Sequence, residues 1–380
     1  MGITVTTPGV YIEELKSQTL SITSGATAVP VFACAAEHWP VAYTTGGTTV
    51  PVPDTSKPIR VNNWLEFSKL YMKDDDTEEG DVFFTPPTTI QVSLKAYFDN
   101  GGGYCYIAQI ADTSAVGLTQ TNALDDITLI VAAGCGIETS LTTLLLGVGR
   151  FALLEPDDVA LVNISMSTTS RKDMNCAYYY PWLTASWAKN DVAIPPSAAI
   201  AGVICSVDRK AGPWQAPANV ALLGGLTPKY RVTDDEQELY MQGAALNMIR
   251  EFTGTGVLVW GARTTTADDD EWRYVPVRRL FSAVEKDLKR TLMFSVFEPN
   301  SQPTWERVRG AIDSYLNGIW QSGGLMGAST AEAYYVQVGL GTTMTAEDVS
   351  QGKMIIKIGM AAVRPAEFII LQFTQDMQHT

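Results

Sequence analysis

The sequence predicts an α/β chain: an N-terminal α/β domain with a largely parallel sheet, a smaller C-terminal α/β domain, and extended arms at both ends. Three observations predict it. From Thr27 onward, short apolar runs alternate with helical patterns, which is how parallel strands buried on both faces read. A polar stretch, Thr264 to Asp270, interrupts the alternation and is followed by two long amphipathic patterns. The 380 residues, 46% of them hydrophobic, suffice for two cores at roughly 100 to 200 residues per domain. The expected organisation is an arm over 1–20, an α/β domain over 21–265 with a surface excursion at 38–90, a second domain over 271–366, and a closing arm or strand over 367–380.

In order, strands are expected at Ala28 to Ala36, Tyr104 to Ile110, Ile127 to Ala133, Arg150 to Leu154, Ala177 to Trp182, Ala199 to Val207 (which also admits helix over part of its length) and Gly256 to Ala262. Within Glu238 to Phe252, Leu239, Ala245, Leu246 and Ile249 recur at helical spacing and predict a helix. The excursion is rich in Pro, Gly and Thr and carries one helical pattern, Trp64 to Tyr71. In Pro276 to Phe297, Leu280, Phe281, Val284, Leu288 and Leu292 form an apolar stripe, with Arg279, Lys286 and Arg290 on the other side. A second helix opens at Ser301-Gln302-Pro303, carries Trp305, Val308, Ile312, Tyr315 and Ile319, and ends at Gly323-Gly324. Its stripe assigns Trp305, Ile312 and Ile319 to the second domain's core. Two strands, Lys353 to Ile358 and Glu367 to Thr374, complete the pattern.

The charge balance is 27 Lys+Arg against 41 Asp+Glu, a net −14. This argues against nucleic acid and against an anionic membrane surface as partners, and for a neutral or basic partner or a second copy of the chain. Only two histidines occur, His38 and His379, which excludes histidine triads and cages. The five cysteines (Cys34, Cys105, Cys135, Cys176, Cys205) have no CxxC spacing and read as buried free thiols of a chain made in a reducing compartment. No run approaches the roughly 18 apolar residues of a membrane span, so direct membrane insertion is not expected.

The candidate motifs for chemistry each break at a required position. Gly134-Cys135-Gly136 follows a strand as a dinucleotide fingerprint would, but Thr139 stands where its third glycine belongs. Gly352-Lys353 is followed by Met354 and has Glu347 at the upstream glycine of a phosphate-binding loop. In the acidic run, Asp74, Asp76 and Glu78 suit a calcium loop, but Glu79 and Thr85 occupy its glycine and its bidentate glutamate. A tight turn, a loop and a solvated charge run account for the three. No cofactor, metal or catalytic residue is expected, and an enzyme on an α/β scaffold lacks a converged set of titratable groups.

Blocks from end to end carry a specific resemblance. They are Thr7-Pro8-Gly9-Val10-Tyr11-Ile12-Glu13-Glu14, Tyr179-Tyr180-Pro181-Trp182, Pro195-Pro196-Ser197, Trp214-Gln215-Ala216-Pro217-Ala218-Asn219, Val259-Trp260-Gly261-Ala262-Arg263-Thr264, Trp272 to Leu280, Phe297-Glu298-Pro299-Asn300 and Val363-Arg364-Pro365-Ala366-Glu367-Phe368. In this order they resemble contractile tail sheath proteins, and the wording around them is most similar to sheaths of extracellular contractile injection systems of the antifeeding-prophage and Photorhabdus virulence cassette type. The sheath of a contractile-tailed phage or tailocin is the alternative. Residues 38–90 follow the family pattern least. The resemblance implies a structural subunit, made in the bacterial cytoplasm, that polymerises as stacked hexameric rings around an inner tube within a released phage tail-like particle or virion tail. It contracts without a nucleotide. The implied partners are further copies, the inner tube protein, other sheath paralogues, and baseplate and terminal cap proteins.

Two candidate surfaces follow. Thr4, Val5, Thr6, Pro8, Gly9, Val10, Tyr11 and Ile12 form a short β-like segment too short for a core of its own. Glu367, Phe368, Ile369, Ile370, Leu371, Gln372 and Phe373 put apolar side chains on both strand faces and need a host sheet. In the sheath family the host is partly a neighbour's C-terminal domain, here expected at a hairpin around Met354, Ile355, Ile356 and Ile358. The basic positions Arg279, Lys286, Lys289 and Arg290 are expected either to touch the inner tube or an adjacent subunit, or to form a solvated helix face.

Overall fold

The computed structural model describes residues 21–39, 43–45, 48–50, 54–71, 88–110, 117–164, 172–188, 192–241 and 245–368. Expectations for Thr4 to Ile12, for the acidic run at Asp74 to Glu79 and for Ile369, Ile370, Leu371, Gln372 and Phe373 lie outside them. The described residues form two compact units, 25–286 with 362–368, and 21–24 with 287–361. The two units divide between residues 286 and 287, inside a helix.

The larger unit begins with β1 (Pro30–Ala33), the hairpin β2 (Tyr43–Thr45) and β3 (Thr48–Val50), β4 (Ile59–Val61) and α1 (Trp64–Tyr71). It continues through α2 (Thr89–Asp99), β5 (Cys105–Ala108), α3 (Gly117–Asn122), β6 (Leu129–Val131), α4 (Glu138–Leu144), β7 (Phe151–Leu154), β8 (Cys176–Tyr180) and β9 (Leu183–Thr184). After α5 (Pro196–Lys210) come β10 (Val220–Ala221), β11 (Thr227–Pro228), α6 (Asp234–Glu238), β12 (Leu246–Phe252) and β13 (Gly256–Trp260). The main sheet has the order β10-β13-β12-β8-β7-β6-β1-β5-β4. From β12 to β5 the pairs are parallel, while the pairs β12–β13, β13–β10 and β5–β4 at the two ends are antiparallel. Successive residues of the central strands feed opposite cores, as a pleated strand covered on both faces must. Phe32, Ile107, Leu129, Leu153 and Tyr179 pack with α2 and α5, while Val31, Ala108, Ile130, Ala152 and Tyr178 pack with Leu141 and Leu144 of α4. This is the α/β class that the alternation predicts.

Two local assignments are corrected. Ala199 to Val207 is helical throughout, as part of α5. A short apolar run buried on nearly every side gives no periodicity to separate helix from strand. Pro196 starts the helix at a position where a missing N–H costs nothing, and Gly202 lets it close on α2, where a Cβ would lie 2.4 Å from the Tyr97 carbonyl oxygen. Conversely, within Glu238 to Phe252, where a helix is expected, Leu246–Phe252 is extended. A capping box of Thr233 and Glu236 starts the short α6, and Leu246–Phe252 is a strand between β8 and β13. Its Asn247 is buried but satisfied, donating to the carbonyls of Tyr178 and Arg263 and accepting from the Arg263 N–H.

The helix α7 (Val275–Leu292) is common to both units. The smaller unit adds α8 (Gln302–Gln321), α9 (Thr330–Ala333), β14 (Tyr334–Val338), α10 (Ala346–Ser350) and β15 (Ile356–Met360). Val308, Ile312, Leu316 and Ile319 of α8 are buried. Trp305 departs from its expected core placement: it is half-buried, and its indole N–H donates to Asn300 Oδ1 at 2.7 Å.

Candidate assembly surfaces

In the smaller unit, β14 and β15 form an antiparallel hairpin from Tyr334↔Met360 to Val338↔Ile356. The ladder is extended by the Ala361 N–H donating to the Ala333 carbonyl. Tyr334 and Val338 are buried, Val336, Ile356, Ile358 and Met360 are half-buried on the same face, and Tyr335, Gln337 and Lys357 are exposed on the other. Tyr334 is also tied to α8 by its hydroxyl, which donates to the Asp313 carbonyl. A two-stranded sheet is marginal on its own; this one is held by the helix under one face. Among the described residues β14 and β15 pair only with each other, so each has one edge without a strand partner. Such edges are templates for an added strand.

The expected acceptor positions fall at this hairpin with a shift: Ile356 and Ile358 lie in β15, whereas Met354 and Ile355 precede it, because the strand runs to Met360 instead of ending at Ile358. The partner strand β14 was missed from sequence. Its signal was the run Tyr-Tyr-Val-Gln-Val, rich in strand formers.

In the larger unit, the segment leading to the C-terminal arm is pinned. Arg263 grips Glu367 through Nε at 3.1 Å to both carboxylate oxygens and through Nη2 at 2.5 Å to Oε2. Its Nη1 donates to the Met241 carbonyl, and the Tyr274 hydroxyl donates to Glu367 Oε2 at 3.3 Å. The hydrogen bonds to Glu367 raise the Arg263 pKa against the opposing effect of burial. Phe368, the next residue, is 72% exposed. Both partners were legible as members of separate sequence blocks; that they meet was not. Arg263→Ala removes a charge-assisted grip worth about 1.5–3 kcal/mol. Amide exchange over Val363 to Phe368 is then expected to accelerate, with only partial recovery in Arg263→Lys, which cannot reproduce the fork. Unchanged exchange would show that the grip does not hold the segment.

The basic positions separate. Arg279 is no contact residue: it is buried against Asp208 of α5, with both side chains 4% exposed. Helical periodicity placed it opposite the apolar stripe without showing that α5 covers that side. Lys286 reaches back to the Asp126 carbonyl at 2.9 Å. Arg290 donates to the Thr23 carbonyl and to Asp287 while remaining half-exposed, and Lys289 is exposed. Met293, Val296 and Phe297 follow closely and are exposed too.

Burial pushes up the thiol pKa values of Cys34, Cys105, Cys135 and Cys205, the reverse of what a nucleophilic thiolate needs. Among the described residues no cluster of His, Cys, Asp and Glu suits a metal ion, and no helix is long and apolar enough to cross a membrane.

Comparison with known proteins bears on these surfaces. The phage tail sheath protein central domain matches residues 145–265, and the phage tail sheath C-terminal domain matches residues 267–376. The sheath chain in the contracted PVC sheath complex of an extracellular contractile injection system is 46% identical. The match covers 99% of each chain, with a TM-score of 0.82. The chain belongs to the contractile tail sheath family. A chain of the contracted anti-feeding prophage baseplate is similar to this sheath protein at 44% identity, over 98% of this chain and 100% of the other, with a TM-score of 0.78. The tail sheath protein of Vibrio phage KVP40 is 28% identical over 169 residues, and that stretch spans 24% of the phage protein's length.

Proposed function

We propose that this sheath protein is the structural subunit of an extracellular contractile injection apparatus, and that it polymerises as stacked hexameric rings around an inner tube. The observation that carries the reading is end-to-end similarity to a sheath chain at 46% identity. Contraction drives the tube through a target envelope by a bistable packing change repeated along the polymer, with conformational energy as its source and no catalysis by the chain. Further copies, the tube protein, other sheath paralogues, and baseplate and cap proteins are its partners in a particle released from the cell that makes it. The phage-tail alternative draws on the match to the KVP40 sheath.

In this reading, residues 1–20 and 367–380 are linking arms, and the hairpin β14/β15 is the host to which a neighbour's strands add. Lys289 and Arg290, with the exposed Met293, Val296 and Phe297, are the better-placed candidates for contact with tube or neighbour. Electron microscopy of the purified full chain is expected to reveal hollow tubes with a helically ridged wall. Monodisperse monomers at every concentration and salt tested would refute a self-assembling sheath.

A further inference from the structure

The smaller unit takes up residues 21–24, far ahead of the rest of it in sequence. The segment is in neither helix nor strand, and Thr23 and Ser24 are exposed, so hydrogen bonding, more than packing, must place it. Arg290 donates through Nη2 to the Thr23 carbonyl, and through the same nitrogen to Asp287 Oδ1 at 3.1 Å. Tyr315 of α8 donates its hydroxyl to Asp287 Oδ2 at 2.8 Å and accepts a hydrogen bond from the Ser24 hydroxyl.

Asp287 and Arg290 stand three residues apart near the end of α7, the spacing that puts two side chains on one helix face. The Asp287 side chain is 6% exposed and engages a different donor with each carboxylate oxygen, which fixes both the guanidinium and the phenol where the segment passes. Arginine, carboxylate and tyrosine recur at the root of the C-terminal arm as Arg263, Glu367 and Tyr274. There the grip is on a side chain of the arm; here the charged donor holds the main chain of Thr23. Thr27 is tied separately, in the larger unit, to Asp208 and Arg279.

We propose that Arg290, Asp287 and Tyr315 form a clasp that fixes the origin of the N-terminal arm on the smaller unit by gripping the main chain at Thr23. Arg290 and Tyr315 touch the segment, and Asp287 is the positioning residue behind both. A tethered strand meets its host at an effective concentration set by the geometry of the tether. An arm that leaves from one fixed point therefore has less freedom to lose when it reaches a neighbour's hairpin edge. With the clasp open, Thr27 still holds the chain, and the arm leaves from the larger unit instead. The consequence for assembly rests on reading residues 1–20 as a linking arm; the clasp itself does not.

The test is nicking of the full chain by a broad-specificity protease, with all variants compared in one assembly state, checked by sedimentation. A protease needs a freely extended stretch, so cutting between residues 21 and 26, read from the mass of the large product, reports opening of the clasp. In Arg290→Ala this cutting should be about ten-fold faster, the factor for losing one hydrogen bond to a charged group. Arg290→Lys should recover part of the protection, and Tyr315→Phe should move the rate in the same direction as Arg290→Ala. Thr23→Val should change nothing, because the grip is on the carbonyl, and neither should Lys289→Ala, which removes the adjacent exposed cation. An Arg290→Ala rate indistinguishable from that of the unsubstituted chain overturns the clasp. So does a rise matched at every other cut site, which is global loosening, or a rise in Thr23→Val as large as in Arg290→Ala. Failure of the arm reading looks different: ordered tubes form without residues 1–14 while nicking still follows Arg290.

Discussion

A chain lacking residues 1–14 is expected to fold and to fail to build ordered tubes. Thr4 to Ile12 carries β-forming residues on either side of Pro8-Gly9 and precedes the first domain strand. In our reading it adds to a neighbour's β14/β15 hairpin, whose edges are unpartnered among the described residues. Each main-chain hydrogen bond of such an added strand is worth about 0.5–1.5 kcal/mol net. A strand of five or so residues would therefore supply much of a subunit's linkage while its body stays free to rotate. Deleting residues 367–380 should have the same effect on assembly and a further effect on stability, because Glu367 is gripped by Arg263. The measurement is electron microscopy and sedimentation of the truncated proteins beside a melting curve. Full-length, contractile sheaths from the chain without residues 1–14 would sink the exchanged-arm reading.

Arg279→Met is expected to cost about 3–5 kcal/mol of stability. Its guanidinium meets Asp208 through two hydrogen bonds, at 2.9 and 2.6 Å, and donates to the Thr27 carbonyl, while the Thr27 hydroxyl donates to Asp208 Oδ2 at 2.5 Å. Burial alone would lower the arginine's pKa, but the Asp208 charge and its hydrogen bonds outweigh that and hold it raised. Removing the arginine leaves a carboxylate in a site with almost no water. Asp208→Leu alone strands the opposite charge and should cost a similar amount, whereas the double variant Arg279→Met/Asp208→Leu should recover most of the loss, since an apolar pair needs no desolvation compensation. Denaturant unfolding of the three variants checks this. A single variant as stable as the unsubstituted chain would show that the pair is not a structural tie of α7 to α5.

The sequence by itself determined the α/β class, the strands β1, β5, β6, β7, β8 and β13, and the long helices α7 and α8. These are set by local periodicity, and a strand flanked on both faces or a helix with one apolar stripe has few other ways to hide its side chains. It determined the family too, because the blocks around Trp260, Trp272 and Glu367 stand in the sheath order from end to end. Tertiary structure decided what periodicity leaves degenerate. The run Ala199 to Val207 became helix because α2 accepts a close helical neighbour at Gly202, and Leu246–Phe252 became strand because β8 and β13 offer ladders on both sides. Likewise Arg279 looked like a surface cation along its own helix and is an interior one only because α5, distant in sequence, covers it. The grip of Arg263 on Glu367 joins residues 104 positions apart. Such pairings depend on where the backbone brings two charges together, which no spacing within one element encodes.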